Sequence, residues 1–198
     1  MKPLTLRDVL PIDEYERRRE TLRQQIIAVK QDRRISIGDL ITLVFENRET
    51  LLFQIHEMIR AERILKPERV QEEVEAYNEQ IPGHGELSAT LMIEITDPHR
   101  VQPVLDRLKG IDRGQTVGIR VGPHLLYGVF EQGRSNEEKI SAVHYVRFPV
   151  PEAARAEMRN PAVPMQVLVT HPQYQAAQAV TEGMRRSLLV ELEAGDGP

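Results

Sequence analysis

The sequence contains no cysteine. That excludes disulfides, thiol catalysis, cysteine-ligated iron–sulfur clusters and the usual structural zinc sites, and it leaves His, Asp and Glu as the only ligands for a metal. Long apolar runs are also missing. "LLFQI" and "GVF" are broken within a few residues, and nothing approaches the roughly 20 apolar residues needed to cross a bilayer. The opening "MKPLTLRDVLPIDEYERRRE" has no apolar stretch and mixes acids with bases. It does not read as a secretory or transit peptide, so the expectation is a cytoplasmic protein with no membrane partner. Neither G-x-G-x-x-G nor G-x-x-x-x-G-K-[ST] occurs. "PGHGE" (82–86) precedes a strand where a phosphate loop follows one, and it lacks the Lys and hydroxyl. There is no G-x-S-x-G elbow, and Ser135 in "GRSNE" reads as part of a polar turn.

What is present describes a globular chain. Its 198 residues, 40% hydrophobic and 28% charged, suffice for one sizeable core and predict a single domain over residues 1–198. The formal net charge is -4. The richest basic segment holds Arg17, Arg18, Arg19, Arg23, Lys30, Arg33 and Arg34, but Asp13, Glu14, Glu16, Glu20 and Asp32 are interleaved with them. A nucleic-acid surface needs uncompensated positive charge, so this segment reads as a solvated helix face and no nucleic-acid partner is expected.

Periodicity orders the elements. Tyr15, Leu22, Ile26 and Val29 mark an amphipathic helix over 12–31. "DLITLVFE" after Gly38 reads as a strand, and Asn47 as the cap of a helix running to about Ile64. A third helix starts near Pro67, with Val70, Val74, Tyr77 and Ile81 along one face. "ELSATLMIEI" (86–95) alternates as a half-buried strand, and Asp97-Pro98 opens a short helix to about Lys109. "QTVGIRVG", "HLLYGVFE", "ISAVHYVRFPV" (140–150) and "PMQVLVTH" (164–171) read as further strands. A closing helix from about Pro172 carries a seam of Tyr174, Ala177, Val180, Met184, Leu188 and Leu192, and the tail "AGDGP" reads as loose. The fold class predicted is α+β, with N-terminal helices, a mainly antiparallel sheet of about five or six strands, and a C-terminal helix against it.

The stretch "FENRETLLFQIHEMIRAERI" (45–64) carries the candidate chemistry. At about 100° per residue, Leu51, Leu52, Ile55, Met58 and Ile59 fill an apolar arc of about 120°. Glu49, His56 and Arg60 fall opposite, so His56 is expected to face outward, and Thr50, Gln54 and Glu57 form an adjoining polar strip. Arg48 and Glu62 project into the apolar arc, about 21 Å apart, too far to pair with each other. They ride at the helix ends, or Arg48 joins Glu46 in a polar pocket at the sheet rim and binds a carboxylate there. "HEMIR" is not a zinc motif, because Arg60 stands where a second His would be needed. No two of the six histidines lie four apart. His144 alternates with Ala142, Val146 and Phe148 and is expected to point inward. Whether His84, His124, His144 or His171 converge across strands is beyond what spacing can decide.

The N-terminal "DEYERRR", the "FENR" turn, "QIHEMIRAERI" and the strand "ATLMIEI", taken in order, resemble the uncharacterised bacterial family known as domain of unknown function 3501. The resemblance runs from "LTLRDVLPIDEYERRR" (4–19) to "MQVLVTH". Members are often encoded beside rubrerythrin and an iron–sulfur oxidoreductase. The resemblance therefore implies a non-enzymatic accessory or interaction protein in a peroxide- or oxygen-handling redox system, with those proteins as partners and no cofactor of its own. Homo-oligomers are compatible with it. The alternative reading is a small-ligand binder or enzyme with a polar pocket at the sheet rim, built from Glu46, Arg48, Gln54, Glu57, Arg60 and Glu62, with His144 as acid or base or within a His/carboxylate metal site. A third reading, contact with nucleic acid through Arg17–Arg19, stands behind both.

Overall fold

The computed structural model describes residues 1–131, 133 and 140–194. Ser135 and residues 195–198 of the tail lie outside the described residues. A short 3-10 turn at Leu6–Asp8 leads into helix α1 (Ile12–Gln31), which buries Tyr15 and Ile26. Strand β1 (Arg34–Ile37) follows, too short for a periodic signal, and then β2 (Ile41–Glu46). Helix α2 (Arg48–Glu62) starts at the predicted cap: the Asn47 side chain accepts the Thr50 N–H at 2.9 Å, offsetting one of the donors that a helix start leaves unpaired. Helix α3 (Pro67–Asn78) and strand β3 (Glu86–Ile93) complete the first half.

The second half is mainly strands. Its elements, in chain order, are α4 (Val101–Arg107), β4 (Val117–Val121), β5 (His124–Tyr127), β6 (Val129–Phe130), β7 (Val143–Pro149), α5 (Glu152–Met158), β8 (Met165–His171), β9 (Tyr174–Ala179) and α6 (Glu182–Ala194). The class is α+β, with a C-terminal helix, but the strands divide into two antiparallel sheets. One has the order β1-β2-β3-β7-β6, the other β5-β4-β8-β9. The chain changes sheet at Gly128, between β5 and β6. A Cβ there would stand 2.4 Å from Val146 Cγ2 and 2.9 Å from the Phe148 ring, so only glycine fits the crossing.

The closing helix begins at Glu182, and not near Pro172 as the Ala- and Gln-rich pattern suggests. Residues 174–179 pair with β8 instead. The Tyr174 hydroxyl donates to the Ile37 carbonyl at 2.8 Å and accepts the Leu40 N–H at 3.1 Å, which ties β9 to the turn between β1 and β2. Tertiary pairing here overrides a helical local preference. The part of the predicted seam that lies in α6, Met184, Leu188 and Leu192, is buried as expected, while Ala177 is exposed and Val180 half-buried.

Alternation sorts the residues of the five-stranded sheet. Leu43, Phe45, Leu91, Val146 and Phe148 face the main core, shared with Val117, Ile119, Val167 and Val169 of the second sheet. A second cluster forms on the other side of that sheet, from Leu51, Ile55 and Ile59 of α2, Val74 of α3, Leu4 and Ile81. It uses the apolar arc of α2 and leaves that helix's polar strip to meet other partners.

Candidate functional site

Glu46 ends β2 on the face opposite Phe45, and α2 covers it until only 3% of its surface is exposed. Three neutral donors hold the carboxylate. The Thr90 hydroxyl reaches Oε1 at 2.6 Å, while the Thr50 hydroxyl and the Gln54 amide reach Oε2 at 2.5 and 3.0 Å. A buried charge needs such partners, because desolvation without them costs several kcal/mol. Thr50 and Gln54 follow Glu46 by four and eight residues, so successive turns of α2 bring them to the strand end. Thr90 arrives from β3 across the sheet. Of the pocket residues the sequence suggests, Glu46 and Gln54 are therefore brought together, with Thr50 and Thr90 added.

A cavity of about 360 Å³ lies beside this network, between α3 and the outer face of the five-stranded sheet. That is at the lower end of the range usual for small-molecule sites. Ser88, the cross-strand neighbour of Glu46, forms part of its floor with Tyr145 and Arg147 of β7. Tyr77 and Gln80 close it from the α3 side, and Val129 and Glu131 from β6 and the residue beyond it. The Arg147 guanidinium is engaged by the Glu86 carboxylate and the Glu79 carbonyl. Burial pushes the Tyr77 hydroxyl up from its ordinary value, and the nearby carboxylates of Glu73, Glu46 and Glu62 add to this, so it remains a neutral phenol. Gln80 is 8% exposed, and its side-chain oxygen is buried without a hydrogen-bond donor among the described residues.

The roof of this cavity is tied at one end. Asn78, the last residue of α3, accepts the Leu4 N–H at 2.8 Å and donates its amide to the Leu4 carbonyl at 2.9 Å. The amide thereby acts as a one-residue strand partner for the N-terminal segment.

The other residues suggested by the sequence go elsewhere. Arg48 does not enter a pocket with Glu46; it pairs with Asp8 at 2.5 Å, and its hydrogen bond holds that carboxyl below its ordinary value. Glu62 is exposed in the last turn of α2. Glu57 faces α1, where it accepts the Tyr15 hydroxyl at 2.6 Å and a two-pronged contact from Arg19 at 2.7 Å for each oxygen. Those bonds, Arg19 first, draw its pKa down to about 2. Arg60 pairs with Glu16 at 3.0 Å. Of the polar residues of α2, Glu57 and Arg60 are thus engaged by the protein's own α1, while Thr50 and Gln54 turn to Glu46.

His56 is likewise buried, at 5% exposure, and not outward. Its ring stacks on Tyr15 with centroids 4.6 Å apart, and its Nε2 accepts the Leu10 N–H at 2.9 Å. Burial first, then the charge of Arg18, lowers its pKa to about 4, so the imidazole is neutral. The helical wheel assigns His56 to solvent because α1, the element covering it, lies outside the wheel. A groove of about 530 Å³ lies beside this contact, lined by Leu22, Val29, Leu52 and Phe53.

His144 does point inward, 1% exposed, on the opposite face of β7 from Tyr145 and Arg147. Its Nε2 donates to the Ser141 carbonyl at 2.8 Å and its Nδ1 is 3.8 Å from Asp112. His171 is buried on β8, with Nε2 donating to the Lys109 carbonyl and Nδ1 accepting the Gln173 N–H. His84 is exposed and His124 half-buried. Among the described residues, no three His, Asp or Glu side chains gather as a metal site, and no helix is long and apolar enough to cross a membrane.

The site residues that spacing alone does not find are Tyr77, Gln80, Ser88, Thr90 and Tyr145. Tyr77 reads as one more member of an apolar seam, and the others meet across strands. A solved structure of a novel protein of unknown function from Burkholderia pseudomallei K96243 has the same fold, with a TM-score of 0.88 and 31% sequence identity. The match covers 96% of this chain and 100% of that one. No curated protein matches the chain. A family model described as protein of unknown function (DUF3501) matches residues 3–192, and the chain belongs to that family.

Proposed function

We propose that this protein binds a small organic molecule in the cavity between α3 and the five-stranded sheet. The observation that carries the reading is Gln80, a buried amide in the cavity wall whose oxygen has no donor among the described residues. Buried polar groups are nearly always paired, and one left open beside a cavity asks for a partner from outside the chain. Ser88 and the phenols of Tyr77 and Tyr145 supply further polar groups over a largely apolar wall, the usual make-up of a ligand site. The Glu46 network fixes the floor next to them.

Thermal-shift screening against a panel of small metabolites, run in parallel on wild type and Gln80→Met, tests this. Gln80→Met removes an unpaired polar group, so the free variant is expected to be as stable as wild type or slightly more so. Compounds that raise the wild-type Tm are expected to lose their effect on the variant. Equal responses of the two proteins, or none from either, would sink the reading.

The resemblance adds that such a binder serves a peroxide- or oxygen-handling redox system beside rubrerythrin-like or iron–sulfur proteins. Co-purification of those proteins with this chain is the expected result, and their absence from repeated pull-downs counts against that role.

A further inference from the structure

The ligand's charge class can be read from the same cavity. Three observations bear on it: the first asks for a hydrogen-bond donor, the second and third for a cation, and a protonated amine meets all three. The first is Gln80. Its buried atom is an acceptor, Oε1, so the missing partner is a donor. The second is the sign of the surrounding charge. Glu79 and Glu131 line the cavity, Glu46 is buried one strand over from Ser88, and Glu73 and Glu62 also act on Tyr77. The one cationic side chain in the described lining, Arg147, is already held by Glu86 and the Glu79 carbonyl. The third is aromatic. Tyr77 enters from α3 and Tyr145 from β7, which places two phenol rings on opposite sides of one small space. Ring faces attract cations, by about 0.5–2 kcal/mol each depending on desolvation.

We infer that the cavity takes a protonated primary or secondary amine, its N–H groups donating to Gln80 and its positive charge held between Tyr77 and Tyr145 in an acidic surround. Val129 and Ala76 in the wall leave room for the alkyl part of such a molecule. A quaternary ammonium satisfies the rings but has no hydrogen for Gln80. A carboxylate or phosphate would face the buried Glu46 and the lining Glu79, and in the described lining Arg147, already engaged, is the one opposite charge.

This inference rests on the cavity being a binding site, and the experiment separates the two. Three molecules with one four-carbon chain and different charge serve as probes: putrescine, butane-1,4-diol and succinate. Each is titrated calorimetrically into the full chain at physiological ionic strength. Putrescine is expected to bind while the diol and succinate do not. Gln80→Met and Tyr145→Ala are each expected to weaken it about tenfold, the effect of losing one charge-assisted hydrogen bond or one cation–π contact. Binding of the diol or succinate in place of putrescine overturns the amine and leaves the cavity reading standing. Putrescine binding that both variants retain marks loose attraction to an acidic surface and overturns the inference. Failure of all three probes also overturns it, while the metabolite screen on Gln80→Met decides the cavity reading separately.

Discussion

Arg33 and Glu191 form an ion pair at 3.0 Å with side chains 3% and 4% exposed, joining the end of α1 to the closing helix across most of the chain. Arg33 also donates to the Phe45 and Glu46 carbonyls and to the Ser187 hydroxyl. Burial pushes the Glu191 carboxyl up, against the downward pull of Arg33. Arg33→Met is expected to cost about 3–5 kcal/mol in urea unfolding at pH 7, because it strands a buried carboxylate. With Arg33 gone, Glu191 is raised above its unfolded value, so folding favours its protonated form. The loss is therefore expected to shrink at pH 5, where that proton is more readily taken. The double variant Arg33→Met/Glu191→Leu is expected to recover most of the stability.

The Glu46 network makes a second prediction. Glu46→Ala leaves Thr90, Thr50 and Gln54 without their shared acceptor, at an expected cost of about 2–4 kcal/mol. Glu46→Gln is expected to cost less, since hydroxyl donors can turn and the amide oxygen still accepts. Denaturant midpoints of the two variants give the comparison. A Glu46→Ala protein as stable as wild type would contradict the role given to these bonds.

Acid is expected to loosen the contact between α1 and α2 in two steps. The folded pKa of His56 lies at about 4, below its ordinary 6.5, so the unfolded chain binds the extra proton between those values. Stability from this group is full above pH 6.5 and falls as pH drops towards 4, by at most about 3 kcal/mol. Glu57 is depressed from 4.5 to about 2, so its share is present above pH 4.5 and is lost below it. Unfolding midpoints across pH 7 to 3 test both steps. His56→Phe is expected to flatten the first and Glu57→Gln the second.

Gly38 turns between β1 and β2 at φ +67°, and a Cβ there would stand 2.2 Å from the Tyr174 hydroxyl. Gly38→Ala is expected to cost about 2–4 kcal/mol, from left-handed backbone strain and from displacing a phenol that holds two backbone groups. In a Tyr174→Phe background the same change should cost less. A double-mutant cycle measures that coupling, and strict additivity would show that the hydroxyl is not the obstacle.

Much of this was legible from local pattern. The start of α2 follows from Asn47, its apolar arc from spacing, and the inward turn of His144 from strand alternation. Local pattern fails where the deciding contact is distant. His56 looks solvated until α1 packs on it, and "YQAAQA" looks helical until Tyr174 bonds the β1–β2 turn. Glu46 and Gln54 suit a shared pocket because one helix carries the second back to the first. Ser88 and Tyr145 join the cavity only through the register β2-β3-β7, which no single stretch encodes.

The pairing of Asn78 with Leu4 has a practical consequence. It splices the segment before α1 to the far end of α3, so a pull on that segment is transmitted to the wall carrying Tyr77 and Gln80. A bulky fusion placed ahead of Met1 is therefore expected to disturb the cavity wall through this pairing. A fusion attached after residue 198, beyond α6, leaves that splice untouched.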